Sequence, residues 1–267
     1  SAGNALLVAA KADNVKELEA IFGPENSELY SSGDQVADAA TRRSVVERYQ
    51  EGHGFETKDA RTTTLLLGRL NWPFPVPIVQ AENGKWYFDG SEGVEEVVNR
   101  RIGKNELSAI DVCQEIVDAQ LDYYDLDPDG DGIKQYTDKF WSTHGKRDGL
   151  FWARRPGEAP SPIGPLLATA AAEGYTNSGK PTPYHGYYFK LVAEKGNAKS
   201  GAGARFRVVA YPASWGVSGI MTFVANERGE LSQRNLGPDT AKVASDLKFT
   251  RLNKSWEKVT EAAQQGS

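Results

Sequence analysis

The spacing of apolar residues in the first hundred positions predicts helices followed by short strands. Apolar residues recur three to four apart over Asp13–Gly23 and over Asp34–Gly52, and a glycine ends each run. Helical spacing returns over 91–103. Between these helices, runs rich in β-branched and aromatic residues lie at 62–68, 74–80 and 84–90. This order of elements is typical of an α+β half.

The longest helical pattern in the chain covers 105–126. Its apolar stripe consists of Leu107, Ile110, Cys113, Val117, Leu121 and Tyr124. Asn105 is expected to be the N-cap, with Glu106 beside the positive end of the helix dipole. The helix must end before Pro128. Cys113 is the single cysteine and is predicted to be a buried apolar residue and not a nucleophile.

The remainder of the chain is predicted to be a loop region followed by an antiparallel sheet. Prolines and glycines crowd the stretch from Trp141 to Pro165. Alternating apolar and polar residues over about 185–237 predict a meander of strands, and the tail beyond it is expected to be a short helix or irregular. The predicted fold class is therefore α+β with two domains, 1–103 and 104–267.

Composition narrows the classes of function. The 267 residues are 39% hydrophobic and carry a net charge of −5, which favours a folded protein with neither a nucleic-acid nor an anionic-membrane partner. No apolar run reaches the roughly 20 residues that a membrane span requires. The first residues, SAGNALLVAAK, lack a basic segment followed by an apolar core, so any signal peptide is expected to have been removed.

A short acidic stretch, DPDGDG, suggests metal chemistry directly after the long helix. Counted from its first aspartate, the ligand positions of an EF-hand calcium loop fall on Asp127, Asp129, Asp131, Ile133, Gln135 and Asp138. Gly132 falls where such a loop turns sharply, and Ile133 contributes its backbone carbonyl. Alternating carboxylates on a tight turn converge on one point, where they repel one another unless a cation is bound.

The same residues also suit a polar turn without metal. Asp138 is shorter than the bidentate glutamate usual at the last position, so a one-sided loop that binds structural Ca²⁺ is expected. Mg²⁺ suits the site less well because it demands strict octahedral geometry. The three histidines are far apart in the sequence, which argues against zinc.

The second half carries a recognisable series of motifs. The predicted long helix closes on AQLDYY, and GYYFKLV, FRVVAYP and GIMTFVANERGELSQRN follow as predicted strands. In these motifs the chain resembles the soluble part of type IV pilins and type II secretion pseudopilins. The resemblance implies a long helix packed on an antiparallel sheet. A separate predicted half precedes the helix here, in place of the membrane-spanning start found in pilins, so pilin-type polymerisation is not expected.

The first half resembles NTF2-like (SnoaL-like) proteins, in which helices pack on a curved sheet. As a whole, with DPDGDG, GLFW, SPIGPL and GYYFKLV, the chain resembles an exported bacterial family of unknown function. These resemblances imply a periplasmic or secreted, non-enzymatic protein with an interaction or assembly role. The expected partner is another envelope protein.

Two other functions stay open. An isomerase or hydrolase would use a pocket in the NTF2-like half, with His53 and Asp59 as acid–base candidates. A carbohydrate- or peptide-binding module would use exposed aromatic residues, and the candidates are Trp141, Phe151, Trp152, Tyr184, Tyr187 and Tyr188. The alternative interpretation of these six is that they form the core of a small sheet.

Overall fold

The structure, a computed structural model, describes residues 2–128, 130, 132–154, 157, 160–176, 179–194, 203–247 and 252–260. The fold is α+β, with one long helix and two antiparallel sheets, as the sequence predicts. The chain divides into two compact units, residues 1–103 and 104–267. None of the helices in the described ranges is both long and apolar enough to span a membrane.

The first unit contains three complete helices and a five-stranded antiparallel sheet. The helices are α1 (Ala2–Lys11), α2 (Val15–Phe22) and α3 (Gln35–Glu51), with a 3₁₀ turn at Pro24–Leu29. The strands are β1 (His53–Thr57), β2 (Thr62–Leu67), β3 (Trp72–Pro73), β4 (Ile78–Gln80) and β5 (Trp86–Phe88). The strand order is β1-β2-β4-β5, and β3 pairs with β2.

Local sequence signals set the helix ends of this unit. Asn14 is the N-cap of α2, and its side-chain oxygen accepts a hydrogen bond from the backbone N–H of Glu17. Asp34 caps α3 in the same way through the N–H groups of Val36 and Ala37. The core lies between the helices and one face of the sheet and comprises Leu6, Ala9, Leu18, Phe22, Tyr49, Leu65, Leu67, Val76, Ile78 and Phe88.

The second unit packs a helix on a second sheet. Strands β6 (Tyr187–Glu194), β7 (Arg205–Pro212), β8 (Met221–Asn226), β9 (Leu231–Asn235) and β10 (Glu257–Lys258) lie in the order β10-β9-β8-β7-β6. Helix α4 (Gly90–Leu126) carries the predicted apolar stripe, and its residues Ile110, Cys113 and Val117 are buried against this sheet. The described part of the unit also contains two short helices, α5 (Gly164–Glu173) and α6 (Thr240–Asp246).

Helix α4 is longer than the sequence predicts. One continuous helix replaces the separate helices expected at 91–103 and 105–126, and the boundary between the units falls inside it. Asn105 is therefore not an N-cap. Its buried side chain donates from Nδ2 to the carbonyl of Ser218 at 2.9 Å, and Glu106 accepts the backbone N–H groups of Ile220 and Met221, both at 2.9 Å.

The tail also differs from the prediction. Lys258 and its neighbour Glu257 form β10 on the edge of the second sheet, where helix or irregular chain is expected from the sequence. Strand pairing with β9 is a tertiary interaction, so a local pattern does not reveal it. Residues 261–267 lie outside the described part of the chain.

Candidate metal-binding loop

The acidic loop begins where α4 ends. Leu126 is the last helical residue, and Asp127 follows with a positive φ of 42°. Gly130 and Gly132 also have positive φ, 68° and 77°. Three left-handed residues within a few positions turn the chain sharply, and glycine adopts this conformation without steric cost. The sharp turn expected at Gly132 is thus present.

The two oxygens of the Asp127 carboxylate have different environments. Oδ2 accepts the backbone N–H of Gly132 at 3.0 Å, which closes the loop between its first and sixth positions. Oδ1 is buried and has no hydrogen-bond partner among the described residues. A buried carboxylate oxygen without a partner is costly, and a bound cation is one way to satisfy it.

The other predicted ligands are only partly described. Asp129 and Asp131 lie outside the described residues. Ile133 is 65% exposed, Gln135 is half-buried and Asp138 is exposed. Within the described ranges, which omit Asp129 and Asp131, no three His, Cys, Asp or Glu side chains gather into a metal-binding group. The described ligands alone therefore do not constitute a site.

The far end of the loop is fixed to α4. Gln120 is fully buried, and its side-chain amide pairs with both backbone groups of Thr137. The Thr137 hydroxyl donates to the carbonyl of Asp148 at 2.8 Å. The sequence gives no sign of this contact, because Gln120 falls on the helix face predicted to be apolar. No helix begins between Tyr136 and Trp141.

A lysine lies beside the loop. Lys134 donates to Asp125 at 2.8 Å and lies over the ring of Tyr124. The hydrogen bond to Asp125 raises the pKa of Lys134, with a smaller contribution from Asp127. The strongest interaction of Lys134 is therefore with a carboxylate outside the predicted ligand set, and Asp127 keeps its unpaired oxygen.

The loop leads into a second ordered turn at 139–152. The carboxylate of Asp148 accepts the Lys139 ammonium at 2.6 Å, the Thr143 backbone N–H at 2.7 Å and the Thr143 hydroxyl at 2.9 Å. The hydrogen bond from Lys139 is the main cause of the lowered pKa of Asp148. The turn is closed by a backbone bridge between Trp141 and Phe151.

Comparison with known proteins places the whole chain in one family. The family model described as "Protein of unknown function (DUF2950)" matches residues 1–259. The chain belongs to this family. No curated protein and no solved structure matches it. The family range includes every predicted ligand of the acidic loop, and its description assigns no activity to them.

The acid–base candidates of this DUF2950 chain are not brought together. His53 stands at the first position of β1, opposite Leu67, whereas Thr57 at the far end pairs with Thr63. Asp59 lies beyond that far end, so the extended strand separates it from His53 by more than about 13 Å. His53 stacks on Tyr49 with ring centroids 3.8 Å apart. The backbone N–H of Arg61 lowers the pKa of Asp59.

The aromatic candidates do not form one strip in this member of the family. Tyr187 and Trp152 are buried in the core, at 0% and 6% exposure. Trp141 is 43% exposed and packs edge-on against Phe151. Tyr188 packs on Tyr211 of the neighbouring strand. The core interpretation holds for the first two, and the others are spread over different parts of the second unit.

Tyr184 belongs to a separate cluster at the start of the second sheet. Its ring stacks on His185, with centroids 4.1 Å apart, and meets Tyr175 edge-on. His185 Nε2 lies 2.6 Å from a carboxylate oxygen of Glu173, the last residue of α5. Burial, with a further contribution from Glu173, raises the pKa of Tyr184 to about 12. These contacts join α5 to the start of β6.

Proposed function

We propose that the loop from Asp127 to Asp138 binds one structural Ca²⁺ ion. The observation that carries the proposal is the Asp127 carboxylate, which holds the Gly132 N–H with one oxygen and keeps the other buried without a hydrogen-bond partner in the described part of the chain. The glycines with positive φ and the EF-hand spacing of the acidic residues support it.

The ligands of the ion would come from the chain itself. The carboxylates of Asp127, Asp129, Asp131 and Asp138 would each supply oxygen, and the carbonyl of Ile133 would supply another. Gln135 stands where an EF-hand ligand often acts through water. Ca²⁺ offsets the mutual repulsion of the carboxylates, which otherwise opposes the closed loop.

The role proposed for the ion is structural. Asp127 directly follows the last residue of α4, and the buried pair Gln120–Thr137 fixes the other end of the loop. A bound ion would hold the loop closed between these two points and stabilise the path into the turn at 139–152. We propose no catalytic role for it, since no acid–base pair converges on the described part of the loop.

The compartment proposed is periplasmic or extracellular. Its support is the resemblance to exported proteins and the acidic loop itself, because extracellular calcium modules bind with dissociation constants of about 10⁻⁴–10⁻³ M. A site with that affinity would be occupied by Ca²⁺ at the millimolar concentrations found outside the cytoplasm. The working function is therefore a calcium-stabilised, non-enzymatic protein of the cell envelope with an interaction role.

Strand β6 supports the interaction role. It is the last strand of its sheet and, among the described strands, pairs only with β7. It carries half-buried apolar side chains at Phe189 and Val192. An edge strand presents unpaired backbone groups that can accept another strand. Sedimentation analysis from micromolar to near-millimolar protein tests self-association, which Val192→Lys should weaken, and a monomer throughout would overturn self-pairing through β6.

Thermal unfolding of the chelated protein, with and without about 10 mM CaCl₂, tests the metal site. A ligand that binds only the folded state at about 100 times its dissociation constant adds about 2.7 kcal/mol, which corresponds to a rise in Tm of roughly 5–10 °C. MgCl₂ at the same concentration should give a much smaller rise.

Matched variants separate the loop from general charge effects. Asp127→Asn and Asp131→Asn should abolish the Tm response to calcium. Asp122→Asn removes one carboxylate from the exposed surface of α4 and should keep the full response. An equal response in all four proteins, or none in the parent, would reduce the loop to a polar turn.

A further inference from the structure

We infer that the open cavity beside Trp215 binds a neutral sugar ring. The cavity has a volume of about 280 Å³ and lies between the loop after β7 and the turn before α6. Trp215 and Pro212 line one side of it, and Pro238 and Thr240 line the other. Its size is just below the range of pockets for drug-sized ligands, so it suits a single ring or residue.

The indole of Trp215 is held as a fixed platform. The side chain is 37% exposed, and its Nε1–H donates to the Oδ1 of Asn235 at 3.0 Å. With the only polar atom of the indole satisfied, the ring offers a ligand its apolar face. The same Oδ1 accepts the backbone N–H of Gly237 at 2.8 Å, so one amide oxygen joins the two sides of the cavity.

Hydrogen bonds to buried groups hold the loop that carries Trp215. Ser218 is fully buried, and its hydroxyl accepts the N–H of Ser214 and donates to the carbonyl of Gly186. Asn105 of α4 holds the Ser218 carbonyl from the other side. A platform that is already ordered costs little entropy when a ligand binds.

The lining specifies the class of ligand. None of the residues that line the cavity is charged, which disfavours phosphates, carboxylates and cations. The ring of Trp215 has a negative face that attracts polarised C–H groups. Ser214 adds a half-buried hydroxyl that can bond to a ligand hydroxyl. Thr240 is buried, and its hydroxyl donates to the Gly237 carbonyl. A neutral pyranose combines an aliphatic C–H face with hydroxyls that can bond to Ser214.

A proline residue of a peptide is the other ring that could pack on an indole. It would fill the apolar part of the cavity but offers no hydroxyl to Ser214. The Ser214 hydroxyl therefore favours the sugar, and a proline-rich peptide serves as the competing ligand in the test.

Binding of free glucose, galactose, mannose and N-acetylglucosamine to the full chain tests the assignment, by ligand-observed NMR and by calorimetry. At least one sugar should bind, and Trp215→Ala should weaken its affinity by at least about tenfold. Ser214→Ala should weaken it by roughly threefold to tenfold through loss of one hydrogen bond. Trp86→Ala is the matched control, because Trp86 is 41% exposed in the other unit, and it should leave the affinity within about twofold.

Thermal unfolding of each variant shows whether it remains folded. Ser214→Ala keeps the platform and the turn, so it tests the assignment even if Trp215→Ala does not fold. The inference is overturned if no sugar binds, if affinity survives Trp215→Ala in a folded protein, or if Trp86→Ala has the same effect. Binding of a hexaproline peptide with no binding of sugars would also overturn it and assign the cavity to peptides.

Discussion

Gln120 on α4 pairs with both backbone groups of Thr137. Its Nε2 donates to the Thr137 carbonyl at 2.6 Å, and its Oε1 accepts the Thr137 N–H at 3.2 Å. The side-chain amide satisfies the two backbone groups of Thr137 as a neighbouring strand would. Both residues of the pair are buried. Residues 17 positions apart in the chain are thereby joined.

Loss of this pair should be costly. Gln120→Leu leaves the N–H and the C=O of Thr137 buried and unpaired, so we expect the free energy of unfolding to fall by about 2–4 kcal/mol. Gln114→Leu is the control, because Gln114 is half-buried and makes one bond, to the Gly229 carbonyl; it should cost about 1 kcal/mol or less. Urea unfolding measures the loss of unfolding free energy in both variants. Equal losses would show that the buried Gln120–Thr137 pair stabilises the fold no more than the half-buried Gln114 bond does.

Gly103 lies inside α4 and has open space where a Cβ would stand. Gly103→Ala should raise the free energy of unfolding by about 0.5–1 kcal/mol, because alanine favours helix and restricts the unfolded chain. Gly93 of the same helix is the control, since a Cβ there would meet the Val76 Cα at 2.7 Å. Gly93→Ala should destabilise the protein, and a gain at both positions would mean that the close contact at Gly93 is absent.

Tyr184 should make the free energy of unfolding fall as the pH rises above 10. In the folded protein the pKa of its phenol is about 12, whereas the ordinary value is 10.0. The folded state therefore binds this proton more tightly, and the stabilisation is complete below pH 10 and lost as the pH rises toward 12. Urea unfolding across this range should show a shallower decline for Tyr184→Phe. An identical decline would assign the effect to other groups, such as buried Tyr187.

Asp148 should control the order of the turn at 139–152. Asp148→Asn weakens the bonds to Lys139 and Thr143, and we expect faster trypsin cleavage after Lys146 and Arg147 with a change in global stability of no more than about 1 kcal/mol. The lowered pKa of Asp148 means that its contribution is present above the ordinary pKa of 3.8 and fades in stronger acid. Trypsin should cleave the control variant Asp122→Asn at the same rate as the parent. If it also cleaved Asp148→Asn at the parent rate, Asp148 would not control the order of this turn.

The sequence predicts those parts of the fold that depend on residues close together in the chain. The middle of the α4 stripe is buried where its spacing places it, at Ile110, Val117 and the fully buried Cys113. Leu121, which the spacing also places on the stripe, is 37% exposed. The helix ends at Leu126, before Pro128. These features depend on helical period and on the steric limits of proline, which a single sequence contains in full.

Contacts between distant residues are the features that the sequence does not show. Asn105 resembles an N-cap in its local context, yet it holds the Ser218 carbonyl instead. The cavity beside Trp215 depends on Asn235, 20 positions further along the chain. For the acidic loop, spacing predicts the ligand set and the turn at Gly132, whereas its anchor at Thr137 is visible only in three dimensions.

The buried thiol of Cys113 has a practical consequence for probing the acidic loop. Burial raises its pKa far above the ordinary value, so we expect this single native thiol to react slowly with alkylating labels at neutral pH. An Ile133→Cys variant would place one reactive group on a side chain that is 65% exposed in the parent. A spin or fluorescent label attached there would report motion of this one position, with no background from the rest of the chain.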